Sequence, residues 1–253
     1  MPPSIVTTSW DDGHPSDLRL ALLLKKYGLQ GTFYVSPLNR ENSGRLAPDD
    51  LRIIAKDFEI GAHSLTHPPD LTRLPAAAAI DEIEKSKIHL ESILDKPVKM
   101  FCYPHGKWNA ELKRILRSFG FLGARTTVPF DFRAFRDPFE VGTSVLVYPE
   151  RFPGRVIRGI RYPSGWVPLK GAVMRSWKIQ AGRGFEFVRR HGGVFHLWGH
   201  SWHFDAYLLW DDLEDVLRLI ANAPGTVYLS NGDLLLYRKS TSSGSSFLSV
   251  AGS

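Results

Sequence analysis

The chain has 253 residues, 43% hydrophobic, 12% aromatic and 23% charged, which provides one sizeable core and excludes a disordered chain. Net charge is +6 and the pI about 9.4. Basic residues are dispersed, with small concentrations at Arg151–Arg161 and Arg183–Arg190; no nucleic-acid-binding signature accompanies them, so they read as a solvated basic face and no nucleic-acid partner is expected.

No apolar stretch approaches the roughly 20 residues that span a bilayer. Met1-Pro2-Pro3-Ser4-Ile5-Val6 lacks a basic region followed by an apolar one, and the single cysteine, Cys102, precludes an internal disulfide. Both features predict a cytoplasmic protein.

Strand and helix patterns alternate along the first half. Ser4–Ser9 is short and β-branched, a strand. Leu18–Tyr27 has helical leucine spacing and stops at Gly28. Gly31–Ser36 is the next strand, and Pro48–Lys56 a helix with proline in its first turn. Phe58–Ala62 is a brief strand that delivers the chain to His63. Pro75–Leu94 reads as a long helix and Val98–Tyr103 as a strand. Asn109 caps a helix from Ala110 to Phe119, closed by Gly120. This alternation predicts a mainly parallel sheet with helices outside it.

The stretch Thr126–Leu169 is rich in Pro, Phe and Arg and reads as strands and long loops, with Thr143–Tyr148 its clearest strand. A helix around Lys170–Gln180, a strand at Val194–Trp198, a helix over Leu208–Ala221 and a strand at Thr226–Ser230 follow. Residues 240–253 are dominated by Ser and Gly and read as a mobile tail, leaving one domain over 1–239.

Four clusters carry chemistry, each at an expected strand end. Asp11-Asp12-Gly13 follows the first strand; taken alone, it is an ordinary Asp/Gly turn. His63-Ser64-Leu65-Thr66-His67-Pro68-Pro69 holds two histidines four apart. On a helix they would share a face, but Pro68 pushes His67 toward extended backbone, so the pair belongs on a strand-end loop. Cys102-Tyr103-Pro104-His105-Gly106 is a strand running into a Pro-Gly turn. Phe195–His203 contains His196, His200, His203, Trp198 and Trp202. Alternation places Val194, His196 and Trp198 on one strand face, where His196 suits a hydrogen-bonded core. His200 lies just beyond the strand, where active sites of α/β barrels gather.

In this order the four clusters resemble the polysaccharide deacetylases (NodB-homology, carbohydrate esterase family 4), from about Ile5 to Leu236. The resemblance implies an α/β fold, a distorted (β/α) barrel of mostly parallel strands. It also implies removal of acetyl groups from an N-acetylated amino sugar or polysaccharide with one divalent ion, zinc ahead of cobalt, nickel or manganese.

Carried over by position, the metal ligands fall on Asp12, His63 and His67, and the catalytic base on Asp11. The backbone N–H of His105 becomes an oxyanion donor. The late general-acid histidine falls on His200, with His196 the other candidate. Tyr103, Pro104, Trp198 and His196 are expected around the substrate. Many members carry Arg two residues before the proline of the third motif. Here that residue is Cys102, so the resemblance supplies no partner for Asp11. For the acid that orients the late histidine it leaves only Asp131 and Asp137. These departures mark a divergent branch.

An Asp/His/His set keeps coordination positions open for water and substrate. Asp11 then accepts the water's proton, and a histidine, which titrates near neutral pH, protonates the leaving amine. Two alternatives stand beside this reading. One is a same-fold hydrolase of a small non-sugar amide or ureide. The other is a carbohydrate-binding relative without turnover, against which the retention of Asp11, Asp12, His63 and His67 together argues.

Overall fold

The computed structural model describes residues 3–41, 44–133, 137–149 and 176–242. Eight strands form one sheet: β1 (Ser4–Asp12), β2 (Thr32–Val35), β3 (Glu59–Ala62), β4 (Met100–Cys102), β5 (Gly123–Arg125), β6 (Val145–Leu146), β7 (Gly193–Gly199) and β8 (Thr226–Tyr228). The helices are α1 (Asp17–Lys26), α2 (Pro48–Ile54), α3 (Ala76–Leu94), α4 (Ala110–Ser118), α5 (Trp177–His191), α6 (Ser201–Ala206), α7 (Trp210–Ile220) and α8 (Asn231–Ser242).

The strand order is β5-β4-β3-β2-β1-β7-β6, with β8 paired to β1, and the pairings are parallel. Parallel neighbours need crossovers, which the intervening helices supply. β1 is the axis. Ser4–Val6 pair on one edge with Gly193–Phe195 of β7 and on the other with Thr226–Tyr228 of β8; further along, Ser9–Asp12 pair with Thr32–Val35 of β2. All nine β1 residues are buried, as a strand covered on both faces requires. Arg125 bridges to Val141, and the Ser144 N–H donates to the His196 carbonyl, so residues 141–144 connect the β5 edge to the β7 side. The result is the expected distorted (β/α) barrel of parallel strands.

Local chemistry explains most element ends. The Asn109 carboxamide accepts from the Leu112 N–H at 2.8 Å and starts α4. Gly28 and Gly120, at φ 64° and 76°, follow the ends of α1 and α4 in the left-handed conformation that glycine adopts without strain. The helices press on the sheet through aromatic contacts: Trp10 of β1 meets Phe204 of α6 edge-on at 5.8 Å, and Phe204 meets Trp210 of α7 at 5.2 Å.

Several boundaries differ from the sequence expectation. β1 continues to Asp12, so both aspartates belong to the strand rather than to a turn after it. α5 runs on to His191; the beginning of the helix expected at Lys170 lies outside the described residues. Within α5, a Cβ at Gly184 would sit 2.7 Å from the Phe132 ring, so this glycine permits close packing. The strand expected at Thr143–Tyr148 shrinks to β6, and β5, α6 and α8 were not expected. α8 reaches Ser242, into the stretch read as a tail, and the rest of that tail lies outside the described residues. Among the described residues no helix is long and apolar enough to cross a membrane.

Candidate active site

Asp12, His63 and His67 are each at least 94% buried and converge above the carboxyl ends of β1 and β3. Adjacent strand residues face opposite sides, so a regular strand would separate Asp11 from Asp12. Asp12, the last residue of β1, has φ 86°, which breaks the alternation, and Gly13 follows at φ 73°. A Cβ at Gly13 would lie 2.7 Å from Val35, so glycine is required there on both counts.

The His63–His67 loop is held by Glu82 of α3. One oxygen of its carboxylate accepts the N–H groups of Leu65 and Thr66, both at 2.9 Å, and the other accepts the Thr66 hydroxyl at 2.6 Å. His67 has φ 57°, not the extended backbone expected before Pro68. These tertiary bonds, with the His67 N–H donating to Ser64 Oγ at 3.2 Å, override the local preference.

Hydrogen bonding fixes both tautomers. His63 donates Nδ1–H to the Cys102 carbonyl at 2.8 Å, and His67 donates Nδ1–H to the Glu41 carboxylate at 2.9 Å. Both Nε2 atoms therefore carry lone pairs, and they face each other at 3.1 Å. Asp12 Oδ1 lies 3.8 Å from His63 Nε2 and 3.6 Å from His67 Nε2. Burial, and then the neighbouring His67, push His63 down to about 4, which keeps it neutral. Burial alone would raise the Asp12 carboxyl, but His200, His63, His67 and the Trp202 hydrogen bond outweigh it and hold that carboxyl well below its usual range. Two lone pairs and a carboxylate converging on one point form a donor set that fits a divalent cation, and the nitrogen separation lets one ion at about 2.0–2.1 Å reach both.

Asp11 is 2% exposed and forms an ion pair with Arg125 of β5, which is fully buried. The Arg125 guanidinium also lies 4.7 Å from the Trp198 ring and 5.3 Å from the Tyr34 ring, a cation–π seat that suits its charge. Cys102 Sγ approaches the other Asp11 oxygen at 3.9 Å, and burial pushes this thiol well above its ordinary value, so it remains protonated. Asp11, His63 and Cys102 also lie within ligand reach of one another. The protonated thiol and the His63 proton on the Cys102 carbonyl make this a poor metal set.

At the end of β7 the two candidate histidines separate. His196 is buried; its Nδ1–H donates to the Gly142 carbonyl at 3.1 Å, and its Nε2 accepts from Ser9 Oγ at 2.8 Å. Burial, then the Arg125 charge, push it down to about 3. Both nitrogens are committed, so His196 is a neutral core histidine rather than a proton donor or a substrate contact. His200 caps α6 with its side chain 20% exposed and Nε2 4.0 Å from Asp12 Oδ2. Its Nδ1 has no hydrogen-bond partner among the described residues. Asp131 binds Arg133, and Asp137 binds Lys113 and Arg117, so neither is the acid expected to orient the late histidine. Trp202, outside the expected set, donates Nε1–H to Asp12 Oδ2 at 2.9 Å.

The third motif forms a tight turn, Pro104–Gly106, with His105 at φ 54°. Its hydrogen bonds run from the Gly106 N–H to the Tyr103 carbonyl and from the Lys107 N–H to the Pro104 carbonyl. The Tyr103 ring is fully buried between Phe101 and Trp108, and its hydroxyl donates to the Phe139 carbonyl at 3.1 Å. It belongs to the core and not to the substrate surface expected for it; Pro104 and Trp198 are also buried.

Residues 1–124 match the family model described as polysaccharide deacetylase. No curated protein sequence matches the chain. A polysaccharide deacetylase structure from Mycobacterium smegmatis, titled as putative, is 14% identical, with TM-score 0.69 over 96% of this chain and 92% of that one. The chitin deacetylase of the fungal pathogen Colletotrichum lindemuthianum is 18% identical, with TM-score 0.60 over 92% and 88%. Streptococcus pyogenes deacetylase PplD in complex with acetate is 21% identical, with TM-score 0.50; the match covers 54% of this chain and 62% of that one. These likenesses show a shared fold. Residues 1–124, which hold the first three motifs, resemble the polysaccharide deacetylase family.

Proposed function

We propose that this protein is a metal-dependent hydrolase that removes the acetyl group from the nitrogen of an N-acetylated amino sugar or polysaccharide. One observation carries the reading: two imidazoles whose Nδ1 atoms are committed elsewhere turn their Nε2 atoms on each other at 3.1 Å, beside the Asp12 carboxylate. Acetate is the product this reading assigns. The support for it is the family match and the fold shared with a chitin deacetylase and with an acetate-bound deacetylase.

Asp12, His63 and His67 would hold the ion. Zinc suits an Asp/His/His set, and cobalt, nickel and manganese accept the same donors. A bound divalent ion supplies an acidified water and polarisation of the amide carbonyl. Asp11 takes the attacking water's proton, while Arg125 fixes the carboxylate's direction. The backbone N–H of His105, at the end of β4, is the donor assigned to the developing oxyanion. His200, at the rim and partly exposed, delivers the proton that lets the amine leave.

Titrating metal-free protein with zinc tests the ligand set. The parental protein and Asp11→Asn should bind one ion per chain, and Asp12→Ala, His63→Ala and His67→Ala should each lose it. Full zinc binding by all three alanine variants overturns the assignment.

A further inference from the structure

We infer that Glu41 is a positioning residue that orients the metal ligand His67 and ties it to the turn bearing His105, an inference that rests on the ligand set proposed above. One Glu41 oxygen accepts from His67 Nδ1–H at 2.9 Å, and the other lies 3.2 Å from His105 Nε2. The imidazole rings of His67 and His105 are 4.9 Å apart, so one carboxylate spans the loop after β3 and the turn after β4.

Glu41 is carried by the loop after β2, and backbone bonds fasten that loop to the His63–His67 loop. The Leu38 N–H donates to the Leu65 carbonyl at 2.8 Å, and the Arg40 N–H donates to the Thr66 carbonyl at 3.3 Å. Within the loop, the Glu41 N–H donates to Asn39 Oδ1 at 2.8 Å, and the Asn39 residue is itself buried. The carboxylate is therefore pre-placed. The His67 side chain it meets is only 7% exposed, while Glu41 itself is 39% exposed.

Glu41, His67 and His105 also lie close enough to hold an ion of their own. Against that reading, neutral imidazole has one lone pair, and that of His67 points at His63 and Asp12. Glu41 acts instead on the proton side of the ring. A carboxylate there fixes the tautomer, locks the ring's rotation and raises the ligand's basicity; removing such a partner typically weakens metal binding about 10–100-fold.

The test is zinc affinity, measured by competition with a chromophoric chelator, for the parental protein and for Glu41→Ala, Glu41→Gln, His105→Ala and His67→Ala. Glu41→Ala should bind about 10–100-fold more weakly. Glu41→Gln should recover part of the loss, because its amide oxygen still accepts from His67. His105→Ala should lose less than Glu41→Ala. The unfolding temperature of each metal-free protein should be unchanged. Parental affinity in Glu41→Ala, with binding lost in His67→Ala, overturns the inference and leaves the ligand set standing. Parental affinity in both overturns the ligand set, and the inference with it. A fall in metal-free unfolding temperature in Glu41→Ala would make the residue merely structural and also overturns it.

Discussion

Cys102 and Arg125 are register partners across β4 and β5, and both reach Asp11, the thiol toward one carboxylate oxygen and the guanidinium on the other. Register partners in parallel strands point to the same face. The resemblance places an arginine at position 102; in this chain the positive charge stands one strand over and meets the same carboxylate. The missing partner of Asp11 is thus present at a position the motif does not cover.

Removing Arg125 leaves Asp11 as a buried carboxylate without its counter-charge. Arg125→Ala should cost about 3–5 kcal/mol of stability and lower turnover. Combining it with Cys102→Arg returns a guanidinium to the same face of the neighbouring strand. The double variant should be more stable and more active than Arg125→Ala alone, as read by urea unfolding and acetate release. A double variant no better than the single one would show that charge in this register does not hold Asp11.

His196 of β7 and His200 just beyond it should fail in different ways. His196→Ala strands the Ser9 hydroxyl and the Gly142 carbonyl and should cost about 2–4 kcal/mol. His200→Ala should keep its stability and metal content, lose about 10²–10⁴-fold in turnover, and lose the alkaline limb of the pH–rate profile. The reverse pattern in the two variants would move the acid to His196.

Asp17, in the first turn of α1, is fully buried, and neither carboxylate oxygen has a hydrogen bond of normal geometry among the described residues. Burial, with the Asp12 and Asp11 charges adding and Ser201 and His14 opposing, pushes its carboxyl up from 3.8 to about 8. The folded chain keeps a proton that the unfolded chain releases above about pH 4. Its contribution to stability is therefore full below pH 4 and is lost as pH rises toward 8. Asp17→Asn has no such proton to lose. Thermal unfolding should find the two proteins alike near pH 4 and the variant several degrees more stable at pH 8–9. An advantage that shrinks as pH rises would contradict this burial effect.

The proposed ligand set is legible in the sequence because its motifs are local: Asp11-Asp12-Gly13 and His63–His67 are contiguous, and both sit where a strand pattern stops. The network around them was not. Arg125 meets Asp11 across 114 residues, from a three-residue strand too short to show alternation. Glu41 lies in a polar loop and gains its meaning only from the rings beside it. In the sequence Asp17 is an ordinary first-turn acid, and only packing reveals that it is dry. The Asp12 backbone at φ 86° has no signature except the glycine after it, and the helical reach of α5 was hidden by Gly182 and Gly184.

Acetate release from an N-acetylglucosamine oligomer, measured on zinc-loaded parental protein beside zinc-loaded Asp11→Asn, tests the central claim most directly. The parental protein should release acetate and leave a free amine, while Asp11→Asn, with the same zinc content, should be slower by about 10²–10⁴-fold. Equal rates from the two proteins, or no acetate from a zinc-loaded parental protein over a range of acetylated sugars, would contradict it.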